Sequence, residues 1–395
     1  MKKITILLSV LITMNIVANA QWTKQTSGTT KTLNSVYFTS ATTGYAVADA
    51  GIILKTTNGG TNWVALTSGI TSNLYDVYFI SKDTGYAVGA LGKILKTNNA
   101  GINWTAQTYG TTNNFFSVYF VNANTGYAVN DAGGIYKTVN GGTNWTAQTS
   151  GTENSLFSVR FIDANKGYVC GGGGIILHTS NGGTNWIAQT SGASMNLFSI
   201  FFTDANTGYA VGLNGTICKT INGGINWIAK KNVVTGALSS VYFTDANTGY
   251  AVGIDGAIIK TTNGGTNWIT QTSGVSDYLF TVFFTDASNG YAVGENGTIL
   301  KTTSGGTTDL EENFTGGQIN IYPNPASDFV TLTINNANVT GKEIKIYNIN
   351  GKLVSSEILK ENQQQINIGD LSNGIYMVEI KSKDWTEKQK LIIQR

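Results

Sequence analysis

The chain has 395 residues, 12% of them charged, and a net charge of +2. That length holds two or more domains, and so small a basic excess argues against nucleic acid as the main partner, because little is there to neutralise phosphates. Gly is abundant (48) and Pro rare (2), a composition that suits many short strands separated by turns.

The chain opens with MKKITILLSVLITMNIVANA, residues 1–20. Lys2 and Lys3 precede an apolar run from Ile4 to Val17, and Ala18-Asn19-Ala20 forms a small-residue cleavage site. This is expected to be a secretory signal peptide, too short and wrongly flanked for a membrane span. No other segment has the apolarity of a transmembrane segment, so the mature chain is expected to start at Gln21 and leave the cytoplasm.

From residue 21 the sequence repeats. Seven Trp, from Trp22 to Trp268, stand 41 residues apart, and so do the seven Gly from Gly44 to Gly290 that open GYAV or GYVC. A third series, VYF or a variant, begins at Val36 and ends at Val282. Each copy holds four strand-like runs, such as LYDVYFI, GYAVGA, KILKT and NWTAQT in the second. They are rich in β-branched and aromatic residues and bounded by Gly and Asn turns. Four strands per such unit predict an all-β fold, a seven-bladed β-propeller with 41-residue blades over residues 21–303.

The strand count predicts how the ring closes. QWTKQTSG at 21–28 is a fourth strand without its first three, and GTILKT at 297–302 is a third strand without its fourth. The N-terminal strand therefore completes the last blade. The final turn, SGGTTDL, has Asp309 where a Trp would stand, because Trp22 already fills that slot. Burying one Trp contributes up to about 4–6 kcal/mol.

After a polar linker at 304–318, residues 319–395 begin a new all-β pattern containing both prolines, Pro323 and Pro325. KIYNINGKLV reads as two strands around an Asn-Gly turn, and the whole suggests a small C-terminal β-sandwich.

Ligands of a propeller meet one end of its channel, where the second-to-third-strand turns and the inter-blade loops lie. These are also where the copies differ most, with Asp49, Leu91, Asp131, Asp255 and Glu295 in the turns, and Lys31, Asn73, Glu153, Met195 and Asp277 in the loops. Variable loops on a constant scaffold are what a binding surface would show. Inside the innermost strand, Asp76 replaces Ser or Thr, and Arg160 replaces Tyr or Phe. A charge there must be paired or face a wet channel. Asp49, Asp76, Asp131, Arg160, Asp255 and Glu295 are the ligand-binding candidates. The aromatic series Tyr75, Phe116, Phe157, Phe198 and Phe280 is expected to wedge between blades rather than stack a ligand at the mouth. The Lys series from Lys55 to Lys301 is expected to form a solvated ring. His178, the sole His, replaces one of these Lys and cannot build a metal cluster alone. Cys170 and Cys218 replace apolar repeat residues and are expected to be buried, with a disulfide as the alternative. No cofactor or metal motif, nucleophile motif or phosphate loop stands out.

The turns TTNGGTNW, TVNGGTNW and their variants resemble the Asp-box, or bacterial neuraminidase repeat, with Asn58, Asn99, Asn140, Asn181, Asn222 and Asn263 at the Asp position. The resemblance implies a structural turn remote from chemistry. The full order VYF, GYAVG, GIILKT, NGGTNW is similar to photosystem II assembly and stability factors over residues 21–303. Those factors are non-enzymatic and bind a membrane-protein partner through an Arg-rich surface, whereas Arg160 is the only Arg of the repeats. YPNP, YNINGKLV and LSNGIYMVEI resemble the C-terminal sorting domain of the type IX secretion system, type A-like, over residues 319–395. This implies recognition by an outer-membrane translocon and a product that is secreted or attached to the outer-membrane surface, by way of the periplasm.

A sialidase would need several Arg to clamp a carboxylate, and the scarcity of Arg, with Arg160 and Arg395 alone, argues strongly against that activity. The reading is a secreted or cell-surface binding or adhesion propeller, more a binder than an enzyme, for an extracellular polysaccharide or protein. The alternative is a polysaccharide-degrading glycosidase or lyase using carboxylates of the channel face, such as Asp49, Asp131, Asp255 and Glu295.

Overall fold

The computed structural model describes residues 21–107, 110–230, 233–306, 318–335, 341–349, 351–381 and 386–395. The expected signal peptide, and residues 307–317 of the expected linker with Asp309, lie outside them. Contacts divide the chain into two compact units, one ending at Gly306 and the other starting at Thr307. Among the described residues no helix is long and apolar enough to cross a membrane.

The first unit is seven four-stranded antiparallel sheets. In blade 1 the strands run outward as Leu33–Phe38, Gly44–Ala48, Ile53–Thr56 and Val64–Leu66. Blade 7 takes Leu279–Phe284, Gly290–Gly294 and Ile299–Thr302, and is completed by Thr23–Gln25. The register is Thr23 opposite Lys301 and Gln25 opposite Ile299, so the ring closes as the strand count predicts. Trp22 is 1% exposed. It meets Phe284 edge-on at 5.8 Å, as Trp63 meets Phe38 at 6.0 Å in blade 1. Its indole N–H donates to Gln271 Oε1 at 3.2 Å.

The repeat motifs are the parts of one inter-blade joint. The second strand is buried along its whole length in every blade. Its leading Gly lies flat against the Phe of VYF, and a Cβ on Gly44 would sit 2.5 Å from the Phe38 ring. The other face of that Phe stacks on the preceding blade's Tyr, Phe38 on Tyr291 and Phe79 on Tyr45, both at 4.0 Å. Each Tyr hydroxyl then donates to a carbonyl in the next blade's Asn-box turn, Tyr45 to Ala100 O and Tyr291 to Gly59 O, both at 2.9 Å. Burial pushes the Tyr45 hydroxyl up to about 12. The turn closes on itself: Thr56 Oγ1 accepts the Gly60 N–H, and Asn58 Oδ1 accepts the Asn62 N–H, both at 2.9 Å.

The Lys series corrects its expectation. Lys55, Lys96, Lys137, Lys219 and Lys301 donate to the same turn carbonyl as the Tyr, at 2.6–2.8 Å. That oxygen has two lone pairs, and the Lys ammonium lies over the Tyr ring at 5.4–5.6 Å. These Lys are inter-blade clamps. In blade 4, where His178 stands instead, the cation comes from Lys166, whose Nζ donates to Ala205 O at 2.6 Å and lies 5.9 Å from the Tyr168 ring. Cys170 and Cys218 are buried in one hydrophobic cluster, both as thiols.

The second unit has a three-stranded sheet of Gln318–Tyr322, Phe329–Asn335 and Gln363–Asn367. A four-stranded sheet orders Leu353–Ile358, Glu343–Asn348, Gly374–Lys381 and Thr386–Ile393. Leu332 and Ile366 of the first share one core with Ile346, Val378 and Leu391 of the second.

Candidate functional site

The innermost strand carries a bulge in every blade, between Leu33 and Ser35 in blade 1 and at the equivalent places elsewhere. A bulge inserts one residue and re-aims its side chain. Here the inserted residue lines the central channel, so Tyr75, Phe116, Phe157 and Phe198 face the mouth instead of wedging between blades. They form an arc with successive ring centroids 5.2–5.4 Å apart. Phe280, also on the mouth, stacks on Tyr278 at 4.5 Å.

One step deeper lies a hydroxyl layer. Ser117, Ser158, Ser199 and Ser240 each accept a backbone N–H from the next blade at 3.3–3.4 Å. Asp76 takes one place in this layer. Its carboxylate accepts the Val118 and Val77 N–H groups at 3.0 and 2.9 Å and the Ser35 hydroxyl at 2.8 Å. Burial dominates its titration and raises the carboxyl to about 6, against the hydrogen bonds that lower it. Asp76 thus makes the same inter-blade stitch as the serines, with a charge.

The third layer closes the floor. Tyr37, Tyr78 and Tyr119 follow one another at 5.2 and 5.0 Å. Phe201, Tyr242, Phe283 and Tyr37 continue the circle at 5.1–5.3 Å. The gap in blade 4 is filled by Arg160, whose guanidinium carbon lies 5.1 Å from the Tyr119 centroid and 4.8 Å from that of Phe201. The three layers enclose a cavity of 440 Å³.

The mouth lies on the face of the variable turns, since Asn34, at the mouth, donates through Nδ2 to Asp49 Oδ1 at 3.0 Å. The other rim carboxylates bond similarly within their own blades. Asp131 accepts from Asn114 N and Nδ2 at 3.2 and 2.8 Å, and Glu295 from Tyr278 N at 3.2 Å. Asp255 sits exposed in a left-handed turn, φ 57°, beside a groove that also includes Val234 and Asp277. None of these four lines the channel cavity, whose only acidic lining residue is Asp76. Among the described residues no three His, Cys, Asp or Glu are grouped to hold a metal ion. Single-residue departures in the sequence point to Asp76 and Arg160. The hydroxyl layer is missed by that signal, because it is a regular feature of the repeat, and the aromatic series, present in five of the seven copies, is visible in the sequence but its inward direction is not.

Comparison with known proteins agrees with both units. A model described as secretion system C-terminal sorting domain matches residues 320–394. A second, photosynthesis system II assembly factor YCF48, matches residues 98–190 and 188–272. No curated protein sequence matches significantly. Among solved structures, YCF48 bound to a D1 peptide is 18% identical, TM-score 0.63, covering 72% of this chain and 98% of that one. YCF48 from Cyanidioschyzon merolae is 20% identical, TM-score 0.61, covering 71% and 98%. PorZ, an essential surface component of the type IX secretion system of Porphyromonas gingivalis, is 12% identical, TM-score 0.55. It covers 90% of this chain, which spans 58% of PorZ. At these identities the likeness is one of fold, and the type IX sorting domain marks the chain for export to the cell surface or beyond it.

Proposed function

We propose that this exported chain is a non-catalytic binding or adhesion propeller that takes an extracellular polysaccharide or protein at the mouth of its channel. The observation that carries the reading is the 440 Å³ cavity, aromatic at its mouth and polar on its walls, opening on the face where the repeats differ most. That size and mixed lining suit a ligand pocket. Residues 319–395 would engage the translocon, and the product would be secreted or held on the outer surface. The Arg-poor propeller does not suit the partner surface implied for photosystem assembly factors.

The polysaccharide-degrading alternative draws on Asp76, a carboxyl raised to about 6 within the cavity. Glycoside hydrolysis by acid and base needs a second carboxylate roughly 5–10 Å away, and the cavity lining offers no other acid. The test incubates the chain with insoluble polysaccharides and extracellular proteins, following retention and soluble fragments together. Retention without fragments is expected. Fragment release that disappears on changing Asp76 to Asn would establish the enzyme instead.

A further inference from the structure

Arg160 holds a place that the repeat gives to an aromatic ring in every other blade. Its guanidinium carbon lies over the rings of Tyr119 and Phe201, 5.1 and 4.8 Å from their centroids. A guanidinium carries five N–H donors, and ring contacts of this kind give them no hydrogen-bond acceptor oxygen. Among the described residues Arg160 forms no ion pair, and no hydrogen bond of its N–H groups is found there. Its charge reaches Tyr37 and Tyr242 on other blades, acting on both hydroxyls. The one acid of the lining, Asp76, is already held by Ser35, Val77 and Val118. The cavity therefore ends on an aromatic floor with a single cation that has no counter-ion among the described residues.

Planar guanidinium edges bind carboxylates bidentately, and the surroundings narrow what carries that carboxylate. Ser158, Ser199 and Ser240 spend a lone pair on a backbone N–H and keep an O–H to donate to a ligand. The Tyr75-to-Phe198 arc above them offers ring faces. An arc of donors on three adjacent blades, below ring faces, suits a hydroxyl-bearing ring more than an extended peptide, whose backbone would need a paired edge. We propose that the channel is an end-on receptor for a hexuronate, the acidic terminal sugar of an extracellular polysaccharide, inserted carboxylate first onto Arg160. This rests on the binding-propeller reading and names its ligand class.

The repeat itself supplies the variant. Arg160→Tyr restores the residue of blades 1, 2, 3 and 6 and should fold as well as the native chain, which a thermal melt checks. Calorimetric titration of the purified chain uses glucuronate, galacturonate, glucose and N-acetylglycine. A hexuronate should bind, glucose should bind roughly tenfold more weakly or not at all, and R160Y should lose roughly tenfold in hexuronate affinity. Hexuronate binding unchanged in R160Y, equal binding of glucose, or binding of N-acetylglycine in place of both hexuronates would overturn the proposal. So would absence of hexuronate binding by the native chain. Retention of the native chain on an insoluble polymer, equal in R160Y, would leave the binding propeller standing while removing its Arg160 anchor.

Discussion

Asp76 occupies a serine's place and stitches blades as a serine does, but with a charge whose burial raises its carboxyl from 3.8 to about 6. Between those two values the folded chain holds the proton more tightly than the unfolded one, so stability falls as pH rises through the window and levels off above it. The effect has a ceiling of about 3 kcal/mol. Melts from pH 4 to 7.5 should show a falling contribution in the native chain that Asp76→Ser abolishes. The difference between the two proteins is the readout, because Asp204, Asp245 and Asp286 have lowered values of the opposite sense. An identical slope in both would show that Asp76 is not buried as a charge. Blade 4 offers a second residue-scale test. Lys166 replaces the clamp lost at His178, so Lys166→Thr should cost about 1 kcal/mol. Adding His178→Lys should restore it, a coupling that a double-mutant cycle measures by denaturant unfolding.

The N-terminal strand is short, Thr23–Gln25, yet it carries Trp22 and the seventh blade's outer edge. Trp22→Ala should destabilise the propeller by about 3–5 kcal/mol, and deletion of residues 21–28 by more, seen in urea melts followed by Tyr and Trp fluorescence. An unchanged midpoint in the deletion would mean that the outer strand does not hold the ring. The strand count made this closure legible, because one strand at the start of the array and three at its end sum to one blade. The inward turn of Tyr75 and its equivalents was not legible. A one-residue bulge switches the face of a side chain, and no residue type marks it in LYD, FFS or LFS. The Lys clamps were hidden for a different reason: their acceptor is a backbone carbonyl 45 positions on, as from Lys55 to Ala100, and a carbonyl has no sequence signature.

Across the whole molecule the period of the sequence sufficed for blade number and for the break at the sorting domain, since both are changes of pattern. The binding candidates were legible only where a copy departs from the rest. Asp76 and Arg160 line the cavity, while Asp49, Asp131 and Glu295 serve their own blades' turns. The same periodicity predicts that the ends are exchangeable. Moving Gln21–Gly28 to follow Thr307 puts Trp22 three residues after Gly306, the spacing of Gly60 and Trp63. This variant with its closing strand relocated should melt in one transition within about 5 °C of the native chain, and a split or strongly lowered transition would argue against closure at this seam. That seam also sets an order of events. For a chain that crosses a membrane N-terminus first, the strand Thr23–Gln25 waits for a partner, Ile299–Thr302, that lies about three quarters of the way along the chain. The ring then stays an open, unfinished molecule through most of that passage, and it becomes whole only shortly before the sorting domain, beginning at residue 320, comes into view.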